Sequence, residues 1–366
     1  MFSDIYARKK VFITGHTGFK GSWLSLWLLN LGAIVKGYSL APYTKNDHFV
    51  AANLSNSLTS IIGDIRNYKK LKKELTEFQP DYIFHLAAQP LVRDSYLNPR
   101  DTYETNIMGT ANILNIAREQ NNLKALINVT TDKCYENIEK KSGYKETEPM
   151  GGHDPYSSSK GCSELVTSAY RRSFFSNQTT SNLPVIATAR AGNVIGGGDW
   201  CKDRIMTDAI TALINNKPIK VRNPEAIRPW QHVLEPLSGY LWLAAKSELD
   251  NKTQYAQAWN FGPKTDELIS VKNVVEMVID HWGNGSWENT SDPNNFHEAK
   301  LLHLDISKAQ EKLDWSPTLT IPQSVEMTVD WYKEYNNNKQ NMREFSLEQI
   351  NKYAILARKQ SLAWAM

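Results

Sequence analysis

Cysteine is scarce in this chain of 366 residues. The three cysteines, Cys134, Cys162 and Cys201, are widely spaced and belong to no Cys-x-x-Cys pair or histidine–cysteine cluster. This spacing argues against a disulfide framework and against the common zinc sites. We expect reduced cysteines that serve packing, no bound metal, and a cytoplasmic location, since thiols stay reduced in that compartment.

Long hydrophobic runs and an excess of one charge sign are also missing. No stretch of about 18 apolar residues occurs, so we expect no membrane-spanning helix. A glycine-rich turn begins as early as Gly15, so we expect no signal peptide. The formal net charge is +3 with dispersed basic residues, which indicates neither a nucleic-acid nor a membrane-surface partner.

The start of the chain carries a strand, a glycine-rich turn and a helix. Apolar residues 11–13 precede glycines at 15, 18 and 21, and a helix and a second apolar run follow. Gly15 permits a tight turn, Gly18 lets the backbone approach a pyrophosphate, and Gly21 lets the helix pack on the strand. Free N–H groups and the dipole at the helix N-terminus attract phosphate. In this context the glycine spacing predicts dinucleotide binding.

Apolar strands alternate with helices over the next 240 residues or so. One predicted strand ends at Ile62. The others cover Tyr82–Ala88, Ala125–Thr131, Val185–Ala191 and Ala258–Gly262. The predicted helices cover Tyr68–Phe78, Pro99–Glu119, Tyr156–Phe175 and Leu237–Ala245. Alternation of this kind predicts an α/β fold with a Rossmann-type, doubly wound parallel sheet. The tail from Asn336 to Met366 predicts a helix packed on the surface or on a partner.

Tyr156 and Lys160 lie four residues apart near the start of a predicted helix and so share one face. A phenol with a pKa of ~10 is a poor base, but a neighbouring ammonium favours its ionised form. Such a tyrosine can take a proton from a sugar hydroxyl while hydride leaves the same carbon. The pair is common on protein surfaces, but its place downstream of the glycine turn indicates catalysis.

Polar residues follow several predicted strands, at the edge where ligands bind in parallel sheets. Thr131, Asp132 and Lys133 end the central strand, although a simple turn would also use such residues. Asn193 offers an amide, and Arg228 offers a guanidinium suited to phosphate. Isolated histidines such as His16 and His85 are more typical of packing. The same holds for His232.

From about Lys10 to at least Trp331 the sequence resembles the nucleotide-sugar 4,6-dehydratases of the extended short-chain dehydrogenase/reductase superfamily. More narrowly, it resembles the members that act on CDP-glucose. The matching segments are GHTGFKGSWLSLWL, GDIR, HLAAQPLVRDSY, TNIMGT, TDKCY, EPMGG, DPYSSSKGCSE, RAGNVIGGGDW, RPWQHVLEPLSGY and WNFGP. Lys133 departs from the dTDP-glucose enzymes, which have a glutamate there, and resembles the CDP-glucose type.

The resemblance implies a role for each matching residue. The catalytic residues would be Thr131, Asp132, Lys133, Tyr156 and Lys160. Contacts with NAD would come from Gly15, Thr17, Gly18, Phe19, Lys20, Gly21, Asp64, Ile65, Leu86, Ala87, Ala88, Gln89, Asn106, Tyr156 and Lys160. Of these, Asn106 matches a strand-side asparagine near the nicotinamide ribose. Contacts with the substrate, CDP-glucose, would come from Arg93, Thr131, Asn193, Arg204, Arg228 and His232.

The implied reaction is a dehydration with no net redox change. Tyr156 accepts the 4-hydroxyl proton as C4 gives a hydride to NAD, a base removes the C5 proton while Asp132 protonates the departing 6-hydroxyl, and the hydride returns to C6. Lys133 is either the C5 base, made neutral by burial and nearby cations, or a charged stabiliser of the enolate. The second strand ends without an acid for the ribose or an arginine for a 2′-phosphate, and the resemblance favours NAD.

The resemblance also implies a domain division and an assembly. We expect an NAD-binding Rossmann domain at 1–191, with 228–262 returning to it, and a smaller nucleotide-sugar-binding α/β domain from 192–227 and 263–366. A homodimer would form through a four-helix bundle that includes the helices near Pro99–Glu119 and Tyr156–Phe175. The product would serve deoxysugar synthesis for a bacterial O-antigen. A nucleotide-sugar 4-epimerase and a non-catalytic NAD-binding regulator are the alternatives.

Overall fold

The computed structural model describes residues 1–176, 183–249, 252–264, 268–292 and 301–366. The strands are β1 Lys10–Thr14, β2 Ile34–Ser39, β3 Thr59–Ile62, β4 Tyr82–His85, β5 Ala125–Val129, β6 Val185–Arg190, β7 Val194–Ile195, β8 Ile219–Val221, β9 Ile227–Arg228, β10 Gln231–His232, β11 Ala258–Asn260, β12 Ile269–Ser270 and β13 Trp287–Asn289. Seven of them form one sheet in the order β11-β6-β5-β4-β1-β2-β3, and all of its pairings are parallel. The predicted doubly wound parallel sheet is therefore confirmed.

Helices cover both faces of this sheet, and the other six strands form three two-stranded sheets. The helices are α1 Phe19–Asn30, α2 His48–Ala51, α3 Tyr68–Phe78, α4 Val92–Leu97, α5 Pro99–Tyr103, α6 Gly109–Ala117, α7 Pro155–Phe174, α8 Ile205–Ile214, α9 Leu234–Leu249, α10 Val271–Trp282, α11 Ser307–Leu313, α12 Ile321–Asn337 and α13 Met342–Lys359. A π-helical segment, Glu104–Met108, joins α5 to α6. Short 3₁₀ turns cover Phe2–Asp4, Leu54–Asn56, Asp132–Cys134, Lys252–Tyr255, Lys339–Asn341 and Ala363–Ala365.

The strand order reverses between β1 and β4, since β2 and β3 lie on one side of β1 and β4, β5, β6 and β11 on the other. In parallel sheets a ligand crevice opens outside the carboxyl ends of the strands at such a point. The glycine turn follows β1, and Thr131 lies just beyond β5, which pairs with β4. The fold thus brings the main sequence motifs to one edge of the sheet.

Four predicted strands are too long at their carboxyl ends. β6 ends at Arg190 rather than Ala191, and β11 ends at Asn260 rather than Gly262. β4 ends at His85 rather than Ala88, because the Thr14 hydroxyl accepts the N–H groups of Leu86 and Ala87, both at 3.2 Å, and the chain leaves the ladder there. β5 ends at Val129 rather than Thr131. The residues beyond these strands are therefore loop residues at the ligand edge.

The tail forms the predicted helix, α13, and that helix packs on the protein's own body. Ile350 and Tyr353 are fully buried against it. Beyond α13, Trp364 stacks on Tyr353 and on Phe2, with 5.3 Å between ring centroids in each case. The two chain ends therefore share one aromatic cluster. Among the described residues, no helix has both the length and the apolar content that crossing a bilayer requires.

Candidate active site

The glycine turn after β1 is shaped by close backbone contacts. An added Cβ at Gly15 would lie 2.8 Å from the Ala87 nitrogen, and one at Gly21 would lie 2.0 Å from the Gly15 oxygen. Gly15 also has a φ of +77°, which favours glycine. Gly18 differs, because its side-chain position is exposed and meets only the Gly15 oxygen at 3.4 Å. The turn is thus tightly packed at Gly15 and Gly21 and open at Gly18.

The open side of the turn leads to the N-terminus of α1. Gly18 is the N-cap residue, and no side chain in the described part of the chain caps this helix. The N–H groups of Phe19, Lys20 and Gly21 precede the first bond of the helix, in which Ser22 N–H donates to the Gly18 oxygen at 2.8 Å. These N–H groups and the helix dipole form a cradle that fits a diphosphate.

Beside the cradle, the end of β2 contains no acidic residue. Thr17 ties the turn to this end instead, since its hydroxyl donates to the Leu40 oxygen at 2.8 Å and lies 2.9 Å from the Ser39 hydroxyl. The Asp64 carboxylate pairs with Arg66 at 2.7 Å, and this pairing lowers the pKa of Asp64. Ile65, next to it, is buried.

The loop after β4 is fixed by Asn106. Its side-chain N–H₂ donates to the Gln89 oxygen at 3.1 Å and to the Ser159 hydroxyl at 2.8 Å, and its side-chain oxygen accepts the Gln89 N–H at 2.8 Å. Asn106 lies in the π-helical segment, within the range predicted as helix, and its place near the nicotinamide ribose stays a prediction. It is buried and joins the strand-end loop, residues 86–89, to α7.

Helix α7 carries Tyr156 and Lys160, both buried, in its first two turns. The Lys160 ammonium donates to the Val129 oxygen at 3.2 Å, which places it against the end of β5. Burial lowers the pKa of Lys160 to about 8, although the charge of Glu164 opposes this shift. Burial raises the pKa of Tyr156 to about 12, while a hydrogen bond with Thr131 and the charge of Arg204 act to lower it.

The turn after β5 holds the predicted acid. The Thr131 hydroxyl donates to Asp132 Oδ1 at 2.9 Å and accepts the Lys133 N–H at 3.3 Å. Asp132 is buried, and its Oδ2 has no hydrogen-bond partner within the described part of the chain. An added Cβ at Gly192 would lie 1.9 Å from that oxygen. Thr131 therefore contacts both Tyr156 and Asp132.

Lys20 adds a positive charge to this site. Its ammonium lies 5.9 Å from the centroid of the Tyr240 ring. Burial, together with the charges of Lys160 and Arg204, lowers the pKa of Lys20 to about 7, against a smaller opposing effect of Asp132. The hydroxyl of Tyr240 is buried and has no partner among the described residues. Tyr240 was not predicted, because a tyrosine within an apolar helix pattern indicates core packing.

The predicted substrate residues fall into two groups. Arg204 and Arg93 lie near the catalytic residues or the ligand edge, and each pairs with an aspartate: Arg204 with Asp199 at 2.5 Å, and Arg93 with Asp203 at 3.3 Å. Arg222, which the sequence did not indicate, pairs with the same Asp203 at 2.8 Å. Only this long-range ion pair distinguishes Arg222, and the local spacing of residues in the sequence does not predict it.

The other three predicted substrate residues lie on the loop and short strands after β6. Asn193 has a left-handed backbone with a φ of 46°, and its carbonyl accepts the Gln231 N–H at 3.3 Å. Arg228 donates to the Ile227 oxygen at 2.9 Å. His232 is fully buried, and burial lowers the pKa of its imidazole to about 3, so the ring is neutral. Its role as a substrate contact stays a prediction.

A buried ion pair behind Lys160 was also missed. Glu164 accepts hydrogen bonds from the hydroxyls of Thr130 and Thr188 and pairs with Arg190 at 2.8 Å. Both charged side chains are 4% exposed. Glu164 follows Lys160 by four residues, and that spacing is the signal that would have found it.

The chain is similar to known proteins along most of its length. The family described as GDP-mannose 4,6 dehydratase matches residues 12–328. A CDP-glucose 4,6-dehydratase of Salmonella typhimurium is 48% identical over 331 residues, which are 90% of this chain and 92% of that protein.

Solved structures share the fold at lower identity. A dTDP-glucose 4,6-dehydratase from Streptomyces venezuelae, solved with NAD bound, has a TM-score of 0.76 at 23% identity and covers 90% of this chain and 98% of its own. A UDP-glucose 4-epimerase from Thermotoga maritima, solved with UDP-glucose, has a TM-score of 0.75 at 20% identity and covers 89% and 99%. Dehydratases and epimerases thus share this architecture, and the fold alone does not separate them.

Proposed function

Given that the chain belongs to the GDP-mannose 4,6 dehydratase family, we propose that it is a hydro-lyase that converts CDP-D-glucose to CDP-4-dehydro-6-deoxy-D-glucose with NAD as cofactor. The name of the Salmonella typhimurium relative supports this substrate. The observation that carries the proposal is the contact of Thr131 with both Tyr156 and Asp132. A base for a hydroxyl and an acid for a leaving group then face one substrate.

The cradle at the start of α1 would hold the diphosphate of NAD. Gly15, Gly18 and Gly21 provide the close backbone approach, and the uncapped helix N-terminus provides donors. Bound NAD would accept a hydride from C4 of the sugar and return it to C6. Because the end of β2 offers no carboxylate, the adenosine ribose would be held through other groups, such as the Ser39 hydroxyl.

Tyr156 would take the proton of the 4-hydroxyl. Its pKa of about 12 in the ligand-free protein is too high for this role at neutral pH, so it must be lowered in the complex. Contact with Thr131 and the charge of Arg204 act to lower the pKa of Tyr156. The ammonium of Lys160, on the same face of α7, would also stabilise the phenolate. The charged form of Lys160 is therefore the active one.

Asp132 would protonate the departing 6-hydroxyl. Its Oδ1 is held by the Thr131 hydroxyl, and its Oδ2 has no partner among the described residues, which leaves that oxygen for the substrate. Lys133, the next residue, would remove the C5 proton or stabilise the enolate that forms. It lies in the 3₁₀ turn that also contains Asp132.

We further propose a cytoplasmic homodimer whose product supplies bacterial deoxysugar synthesis. Free cysteines support the location. The dimer is supported by an exposed apolar face on α7 and the neighbouring π-helical segment, with Met108 and Leu165 exposed by 54% and 59%. The division into a dinucleotide domain and a nucleotide-sugar domain, with the boundaries given above, also stays a proposal.

A single assay tests the reaction. The protein with NAD is incubated with CDP-, dTDP-, UDP- and GDP-hexoses, and products are examined by mass spectrometry. We expect CDP-glucose to lose one water, and deuterium placed at C4 to arrive at C6. Tyr156→Phe is the control for catalysis. An isomer of unchanged mass would indicate the epimerase, and no reaction with any sugar would favour the regulatory alternative.

A further inference from the structure

Two guanidinium groups from separate parts of the chain meet at one carboxylate. Asp203 Oδ1 lies 2.8 Å from Arg222 and 3.3 Å from Arg93. Arg93 belongs to α4, which follows β4 at the ligand edge, and Arg222 follows β8. Asp203 has a left-handed backbone with a φ of 63°, a conformation that is unusual for a non-glycine residue.

This cluster is linked to the catalytic residues through α4, because Ser95, two residues after Arg93, accepts the Tyr156 N–H with its hydroxyl at 3.1 Å. Asp203 precedes Arg204, whose charge acts on Tyr156 and on Lys20. The side chains of Asp203, Arg93 and Arg222 are 43%, 38% and 33% exposed, so a ligand can reach them. If the hexose lies at Tyr156, the nucleotide end of the same substrate has to leave the site past groups such as these.

The cluster combines an acceptor with donors. A carboxylate only accepts hydrogen bonds when it is ionised, and a guanidinium only donates. A site for a diphosphate alone would consist of cations, because a carboxylate repels phosphate. An exposed acid among arginines would instead fit a ligand group that carries donors and acceptors next to each other.

We infer that Asp203 and Arg222 bind the base of the nucleotide sugar and select cytosine. The inference rests on the proposed function, because it assumes a pyrimidine nucleotide sugar. Cytosine presents its 4-amino group as a donor next to the N3 and O2 acceptors. Asp203 accepts from the amino group, and Arg222 donates to N3 and O2.

The same pair rejects the other pyrimidines. Uracil and thymine present O4 as an acceptor and N3–H as a donor, so the carboxylate would face an oxygen and the guanidinium would face an N–H. Such mismatched, partly desolvated groups penalise the wrong ligand. Arg93 acts as a positioning residue, because its ion pair holds Asp203 in place when Arg222 turns to the base.

A further charged group near the cluster is Asp208, on the first turn of α8. Burial raises its pKa, and the charges of Arg222 and Arg93 oppose that shift. Asp208 is less exposed than Asp203, so it acts on the arginines through its charge and does not contact the base.

The test measures the binding of CDP and UDP to the full chain by calorimetry. The intact protein should prefer CDP, and Asp203→Asn should lower the ratio of CDP to UDP affinity by about tenfold or more, in line with the value of a good bidentate contact. Arg222→Met should also weaken CDP more than UDP. Glu77→Gln, which removes one charge from the exposed pair with Lys73, is the control and should change neither affinity.

Each of the other outcomes would contradict the inference. If Asp203→Asn and Arg222→Met weaken both nucleotides equally, the cluster binds phosphate or supports the fold, and the inference is wrong. If the intact protein prefers UDP or dTDP and dehydrates the corresponding sugar, the base inference and the CDP substrate are wrong, while the proposed dehydration reaction stands. If no pyrimidine nucleotide binds, both are wrong.

Discussion

Asp132 occupies space that any side chain at position 192 would fill. The added Cβ of Gly192→Ala would lie 1.9 Å from Oδ2 of Asp132 and 2.1 Å from its Cγ. The acid must therefore move, and displacement by about 1 Å can cost about a hundredfold in rate. We expect Gly192→Ala to lose the dehydration rate by about that factor, at a stability cost of about 1–3 kcal/mol. The rate of water loss and the urea midpoint measure the two effects.

Gly262→Ala is the matched control, because Gly262 also follows a strand of the main sheet. Its added Cβ would lie 3.6 Å from Ile306 Cγ2 and 3.7 Å from Leu304 Cβ, which are ordinary contacts. This variant should keep both activity and stability. A Gly192→Ala protein that dehydrates at the normal rate would show that Asp132 is not the acid or that the turn is free to adjust.

Lys133 can be tested by the exchange of the C5 hydrogen with solvent. Without its amine, Lys133→Met should lose this exchange but still accumulate reduced cofactor, because the C4 oxidation depends on Tyr156. Lys133→Arg separates the two roles, since arginine keeps the charge and does not act as a base at neutral pH. Exchange in Lys133→Arg but not in Lys133→Met would identify an enolate stabiliser.

Normal exchange of the C5 hydrogen in both variants would show that Lys133 is neither the base nor the enolate stabiliser. Lys73→Met provides a control, because that side chain is 69% exposed on α3 and its loss should leave exchange and cofactor reduction unchanged. Mass spectrometry in deuterated water and absorbance of the reduced cofactor supply the two readouts.

At the scale of elements, α7 connects the catalytic lysine to a buried charge network. Glu164 lies one turn after Lys160, and its carboxylate raises the pKa of that lysine. It also accepts from Thr130, next to Thr131, while Lys160 donates to the Val129 oxygen. The end of β5 is therefore held from α7 at two successive residues.

Glu164→Gln removes this charge and should lower the pKa of Lys160 further. Because the charged lysine is the form that stabilises the phenolate, the alkaline fall in kcat/KM should begin at lower pH than in the intact protein. Stability should also fall by about 3–5 kcal/mol, since Arg190 loses its buried partner. The pH dependence of kcat/KM and chemical denaturation measure these effects.

Thr188→Val is the matched control for that change. It removes the hydrogen bond of 2.7 Å from the Thr188 hydroxyl to Glu164 but keeps the carboxylate. We expect it to lower stability without moving the pH dependence. If Glu164→Gln and Thr188→Val have the same pH profile, Glu164 serves only the fold.

Elements defined by contacts between residues close in sequence were predicted well, and elements defined by contacts between distant residues were not. Helix α3 was predicted with the observed ends, because its amphipathic pattern and its cap at Asn67 are local. The early end of β4 depends on Thr14, and the Asp203 cluster joins residues 110 positions apart. Such contacts leave no mark in local spacing, and neither does the π-helical segment that places Asn106.

The candidate site shows the same division. The glycine turn, Tyr156, Lys160 and Asp132 lie within recognisable motifs, and the fold brings these motifs to one edge of the sheet. The supporting groups, Tyr240 under Lys20 and Arg190 beside Glu164, come from distant strands and helices. Local sequence patterns thus predict the catalytic residues better than the residues that position them.

At the scale of the whole molecule, the C-terminal segment is part of the body that contains the glycine turn. Glu235 on α9 accepts N–H groups of Thr318 and Leu319 and the Tyr353 hydroxyl. Trp364 then stacks on Phe2, close to the start of β1. Because the last helices cover α1 and α9, the dinucleotide half depends on residues from both ends of the chain.

One apolar face of the molecule is left uncovered by this packing. Cys162, Leu165 and Ala169 follow each other at helical spacing along the outer side of α7, and Met108 lies on the adjacent π-helical segment. Leu165 and Met108 are 59% and 54% exposed. Two such faces, one from each copy, would form a four-helix interface and bury these side chains.

Leu165→Asp tests that assembly. A carboxylate at this position would be buried opposite its own copy without a partner, so we expect a monomer where the intact protein is a dimer. Ile355→Asp is the control, because Ile355 is 50% exposed on α13, away from this face, and the same change should leave the dimer intact. Light scattering or sedimentation measures the mass. If Leu165→Asp remains a folded dimer, the two copies meet through another surface, and if the intact protein is a monomer, the proposed dimer is wrong.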